Sequence, residues 1–223
     1  MKKLLGLFLV VFSSVCLADV SLYATATTDY VSRGVSYSNN GPAVQGGSEY
    51  TMPIGAMLGV WTTTLGDNTG GQELDFYAGY KKEIFESFIM GGKIISYRYL
   101  KNTSNDYLEG NINLSYKIFK LDIYYAPEVP VASVTETYKN LYFNLSASIE
   151  IMKDISIGTA MGYSHFNNKT LADSNNRLDG VLSLLKTIQD TTISLNFSDT
   201  NRKNIAGEKQ KDQSVYIAAT VNL

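Results

Sequence analysis

One histidine and one cysteine stand among 223 residues, so nucleophile-base or thiol chemistry could centre only on His165 or Cys16. Ser164 flanks His165, and a serine-histidine pair would suit acyl transfer in a lipase. Neighbours in a strand, however, point to opposite faces, and no motif nominates a second serine. Glu73 and Asp75 can share a face as paired acids, but the nearby ligands that a metal site needs are missing. No phosphate loop, zinc spacing or nucleotide fingerprint occurs. No enzyme, metal or cofactor is therefore expected. The polar residues that do share a parity are Arg33, Gln45, Glu49, Trp61, Glu73, Asp75 and Lys93. Residues of one parity line one face of a strand. Around a water-filled channel, opposed charges on such a face set a transverse field that orients polar solutes and filters ions.

Strands must position that set. From Asp19 onward, apolar and polar residues alternate, the mark of strands with one face of each kind. Leu141, Phe143, Leu145, Ala147 and Ile149 alternate with Tyr142, Asn144, Ser146, Ser148 and Glu150. Ile193, Leu195 and Phe197 alternate with Thr192, Ser194, Asn196 and Ser198. The pattern predicts twelve strands, over 20–33, 42–52, 54–65, 72–81, 87–100, 107–118, 119–126, 137–150, 155–166, 177–188, 191–199 and 212–223. Connections after odd strands are long and those after even strands are tight. That layout, with both termini on the short-turn side, belongs to outer-membrane barrels. Strands of ~9–11 residues are what a tilted bilayer crossing needs, and closure leaves no unpaired edge in lipid. Tyr30, Tyr50, Tyr80, Tyr97, Tyr99, Tyr107, Tyr116, Phe119, Tyr125, Tyr138, Tyr163 and Phe166 fall near strand ends, as interfacial girdles require.

Composition agrees with an all-β, closed antiparallel transmembrane barrel. Charged residues make up 18% of the chain, against about 25% for a typical soluble domain. Mean hydropathy is nevertheless only −0.07, which excludes a helical membrane protein, and 12% aromatic residues exclude disorder. A secreted β-sandwich or lipocalin-like barrel would also alternate, but its polar face would carry many lysines and glutamates. Here that face is mostly Asn, Ser, Thr, Tyr and Gly.

Residues 1–18 read as a signal peptide. Lys2 and Lys3 precede the apolar run Leu4 to Phe12, and small residues at Cys16 and Ala18 suit cleavage after Ala18. A lipoprotein, with Cys16 lipidated, is the alternative, but Val15 stands where that peptidase prefers a small residue. The run is shorter than the ~20 residues of a spanning helix. Cleavage leaves a barrel domain over 19–223 without cysteine, carrying 17 basic and 21 acidic residues. Basic clustering for nucleic acid is absent. The expected partners are outer-membrane lipids of a Gram-negative cell and, during biogenesis, periplasmic chaperones and the barrel-assembly machinery.

A register with turns centred near residues 38, 53, 68 and 84 sets Arg33 opposite Ala43, Gln45 opposite Trp61, Trp61 opposite Asp75, and Asp75 opposite Lys93. It predicts a lumen belt of Arg33, Gln45, Trp61, Asp75 and Lys93 near Glu49 and Glu73. The belt can form a constriction, or its members can pair and plug the lumen, since twelve strands enclose a space between filled and open barrels. Trp61 can alternatively serve to cover Gly46, Gly47, Gly55 and Gly59. Inward acids (Asp29, Glu49, Glu73, Asp75, Glu109, Asp122, Glu150, Asp179) outnumber inward bases (Arg33, Lys81, Lys93, Lys117). The surplus predicts mild cation preference, unless the acids at strand ends only solvate the rims.

Four blocks carry a family resemblance: Thr28-Asp29-Tyr30-Val31-Ser32-Arg33-Gly34-Val35-Ser36, Pro42-Ala43-Val44-Gln45-Gly46-Gly47, Gly59-Val60-Trp61, and Glu73-Leu74-Asp75-Phe76-Tyr77-Ala78-Gly79-Tyr80. In order and spacing this stretch, roughly 20–80, resembles the TorF family of porins. Tyr37 departs from the glutamine frequent there, and Leu223 from the terminal phenylalanine common in bacterial barrels. The resemblance implies a signal-peptide-bearing outer-membrane barrel that acts as a porin. The sequence thus predicts a channel for passive diffusion of ions or small polar solutes. The alternative is a closed structural or adhesive barrel that works through its loops.

Overall fold

The computed structural model describes residues 19–66, 71–130, 137–167, 176–202 and 212–223. The expected signal peptide, 1–18, lies outside them. Twelve strands close into one antiparallel barrel: β1 (Asp19–Thr27), β4 (Ala43–Thr51), β5 (Ala56–Thr64), β6 (Gln72–Phe85), β7 (Phe88–Tyr99), β8 (Tyr107–Tyr116), β9 (Phe119–Pro130), β10 (Thr137–Met152), β11 (Ile155–Phe166), β12 (Arg177–Ile188), β13 (Thr191–Thr200) and β14 (Ser214–Asn222). Each pairs with its neighbours in chain order, and β14 closes on β1 from Tyr23↔Asn222 to Thr27↔Ala218. Two short strands, β2 (Val31–Ser32) and β3 (Val35–Ser36), form a separate ribbon within the first long connection.

Alternation sorts the side chains. Val20, Val44, Leu58, Ile94, Leu145, Met161, Leu182 and Phe197 stand exposed on the outer wall, an apolar band that bilayer hydrocarbon would cover. Thr25, Thr63, Glu73, Asn111, Asp122 and Ser198 take the opposite parity and are buried, so the interior is polar. Several connections at the termini end are two residues long, with Ser87, Lys117, Asp154 and Gln189 at positive φ. A left-handed residue there matches the twist of the flanking strands.

Two differences from the sequence reading matter. The expected first strand, 20–33, stops at Thr27, where the chain leaves the wall and turns inward. The aromatic girdle is also only half as large as expected. Tyr80, Tyr116, Phe119, Tyr125 and Tyr163 face outward and are exposed, whereas Tyr99 and Phe166 are buried inside. Parity decides this: a strand-end aromatic of inward parity lines the lumen however close it stands to the interface.

Candidate functional site: a hairpin across the lumen

Val31-Ser32-Arg33-Gly34-Val35-Ser36 is a two-residue hairpin, with Val31 paired to Ser36 and Ser32 to Val35. Arg33 and Gly34 occupy its turn at φ 49° and 74°, the doubly left-handed geometry of such turns. Asp29 anchors the root. It is 4% exposed, and its carboxylate accepts hydrogen bonds from the hydroxyls of Ser36 (2.6 Å), Ser38 (3.0 Å) and Ser214 (2.7 Å). The last of these ties the hairpin to β14. The tip reaches the wall: a Cβ on Gly34 would lie 2.7 Å from the Cβ atoms of both Asp179 on β12 and Thr200 on β13. Tyr30 packs against Trp61 of β5 at 5.7 Å between ring centres.

Arg33 spans the barrel. In ring order β9 lies opposite β1, and the Arg33 guanidinium reaches β8, β9 and β10. Its Nη2 donates to Oε2 of Glu109 at 2.7 Å, and the Tyr97 hydroxyl donates to the same oxygen at 2.9 Å. Its Cζ lies 5.0 Å from the centre of the Tyr124 ring and 4.5 Å from that of Tyr142. Glu109 is 1% exposed. Burial of both ions cancels much of their attraction, so the pair fixes the hairpin's position more than it adds stability. A cavity of about 820 Å³ adjoins the hairpin, with Trp61, Glu73, Asp75, Lys93, Tyr107 and Arg177 among its walls.

All seven residues singled out from the sequence face the lumen, but not as one belt. Arg33 sits on the hairpin turn, and Ala43 pairs with Thr27 instead. Gln45 pairs with Thr63, and Gly47 takes the place opposite Trp61. Trp61 does stand opposite Asp75. Asp75 pairs with Tyr97, and Lys93 with Gly79, four residues from the expected partner. Those shifts arise where β6 and β7 run on to a tighter turn than the pattern implied. Glu49 accepts from Lys81 at 3.0 Å and from Tyr77 at 3.2 Å, while Lys93 Nζ lies 4.6 Å from the centre of the Tyr77 ring. Glu73 and Asp75 are both buried, and Oδ1 of Asp75 has no hydrogen-bond partner among the described residues. The rings over glycines are tyrosines rather than Trp61: a Cβ on Gly47 would meet Tyr23 and one on Gly59 would meet Tyr77.

Two residues expected inside serve turns instead, Glu150 from the end of β10 and Lys117 within the turn between β8 and β9. Glu150 accepts from the Asp154 backbone at 2.9 Å, and Lys117 lies 5.3 Å from the Tyr116 ring centre. Two inward bases escaped the sequence reading: Lys120, paired with Asp122 at 2.9 Å, and Arg177, 5.4 Å from the Phe166 ring centre. Ser164 is fully buried inside and His165 is exposed on the outer face, so they do not meet.

The Asp29 anchor yields a prediction. In Asp29→Ala the part-buried hydroxyls of Ser36 and Ser214 lose their acceptor, while that of Ser38 keeps the Gly41 carbonyl at 2.6 Å, a loss of about 1–3 kcal/mol together. The hairpin should then open more often, and trypsin should cut after Arg33 about tenfold faster in detergent, because cleavage follows the population of the open form. An unchanged cleavage rate would mean that Asp29 does not hold the root.

Barrel closure, a polar lumen and an inward hairpin define a porin-type β-barrel, and solved structures share the fold. They include the NanC porin (TM-score 0.62, 10% identity, covering 90% of this chain and 98% of that one). The KdgM porin follows at TM-score 0.56 and 9% identity over 92% and 98%, and the outer-membrane channel DcaP of Acinetobacter baumannii at 0.52 and 10% over 92% and 97%. Residues 16–223 match the family described as "Bacterial protein of unknown function (Gcw_chp)", and the chain belongs to it. No curated protein matches the sequence.

Proposed function

We propose that this chain is an outer-membrane channel through which ions or small polar solutes diffuse passively, with the inward hairpin as its constriction. One observation carries the reading: a charged, polar lumen with a cavity of about 820 Å³ beside a hairpin that crosses to the far wall. The TorF-like block Thr28–Ser36 is the segment that forms this hairpin, which supports a porin role. Residues 1–18 supply the export signal in this reading. Periplasmic chaperones and the barrel-assembly machinery then deliver the barrel into outer-membrane lipid.

Lumen acids (Asp29, Glu49, Glu73, Asp75, Glu109, Asp122, Asp179) exceed lumen bases (Arg33, Lys81, Lys93, Lys120, Arg177), and the surplus favours cations. Purified protein in a planar bilayer should give discrete conductance steps. Under a potassium chloride gradient, its reversal potential should carry the sign of cation preference. A clear anion-selective potential would overturn the preference. Silence would favour the second reading, a closed barrel acting through its loops, which the Arg33–Glu109 contact across the lumen also supports.

A further inference from the structure

We infer that the wall pocket formed by Tyr97, Glu109, Tyr124 and Tyr142 is a binding site for solutes that carry a guanidinium group, and that Arg33 occupies it as an internal stand-in. As a route for solute the site rests on the channel reading above; as a binding site it does not. The chain itself displays the ligand chemistry. A planar cation lies over two neighbouring tyrosine rings of one wall, 5.0 and 4.5 Å from their centres, with a charge-assisted hydrogen bond of 2.7 Å to a carboxylate. Such stacking together with a carboxylate favours guanidinium over a compact, strongly hydrated ammonium.

Glu109 has capacity left. Its Oε2 accepts from Arg33 and Tyr97, whereas the buried Oε1 has no hydrogen-bond partner among the described residues. A tethered Arg33 presents one nitrogen to one oxygen. A free guanidinium can turn to engage both, the bidentate geometry that strengthens such pairs. The site is also released as a unit, because the guanidinium arrives on a two-residue turn whose flanking strands are only two residues each. A solute that wins the pocket displaces the tip of the hairpin, and cargo recognition opens the path.

The tether sets the size of the effect. An intramolecular ligand on a short linker acts at millimolar effective concentration, so its removal should tighten binding of a free competitor by about tenfold or more. The test is calorimetric titration of methylguanidinium into the full barrel in detergent. Arg33→Ala keeps a non-glycine residue at the left-handed position and removes only the side chain; Arg33→Gln serves if that variant does not fold.

Folded Arg33→Ala should bind methylguanidinium at least about tenfold more tightly than the wild type, and adding Glu109→Gln should abolish that gain. In bilayers, methylguanidinium should reduce the Arg33→Ala current over the same concentration range, while added potassium should not. Absence of binding to folded Arg33→Ala and Arg33→Gln, or equal binding with and without Glu109, overturns the inference. Binding with no current in any variant keeps the site and overturns the channel. Current with no binding does the reverse.

Discussion

A barrel without residues 31–36 will conduct several-fold more current per channel than the intact protein. The Tyr37 amide donates to the Tyr30 carbonyl at 2.8 Å, so the two ends lie side by side and an Asn-Gly turn can bridge them without disturbing the wall. The deletion takes away Arg33, its contact with Glu109, and the backbone that reaches β12 and β13. The strand ladders remain, because the ribbon pairs only with itself. Gly34→Val should move conductance the same way by a smaller step. Its side chain would collide with Asp179 and Thr200, and a β-branched residue is strained at φ 74°. Equal single-channel conductance in the intact and deleted proteins would show that the hairpin does not limit flow.

Leu145→Arg will cost about 2–4 kcal/mol of folding stability in vesicles, the depth-dependent price of a cation on the lipid face near the middle of a membrane strand. Leu145 is 53% exposed on the outer wall of β10, pairs with Leu121 and Met161, and stands near the middle of its strand. Ser146 is the control. It has inward parity and pairs with Lys120 and Ala160, so Ser146→Arg points into the lumen and should cost far less. Urea-induced unfolding, followed by the mobility of folded and unfolded bands on gels, measures both. Equal destabilisation by the two substitutions would contradict the assignment of faces.

Alternation made the barrel legible because strand parity is local. Phe143, Leu145 and Phe197 declare the outer wall with no knowledge of their partners. Parity also brought Glu49, Glu73, Asp75 and Lys93 inside. Register is not local. It depends on where each turn closes, and extending β6 to Phe85 displaced Lys93 from Asp75 by four places. The hairpin was hidden for another reason. Val31-Ser32-Arg33-Gly34-Val35-Ser36 continues the period of the strand before it, so alternation alone carries the strand through to Arg33. The available signal was Arg-Gly between two matched Val/Ser pairs, a turn flanked by strand-forming residues. The partners of Arg33 could not be read at all, since nothing in the sequence places Glu109, Tyr124 and Tyr142 across a lumen from residue 33.

Trp61 is the chain's only tryptophan, and its ring lies inside the barrel beside Tyr30 at the hairpin root. In most membrane barrels indoles crowd the interfaces, and their emission reports lipid. Here the whole tryptophan signal arises from one ring on the lumen side, screened from acyl chains by the wall. The native protein therefore carries its own optical gauge of the lumen, placed to report hairpin movement and, if the lumen is open, entry of water-borne quenchers, apart from the bilayer outside.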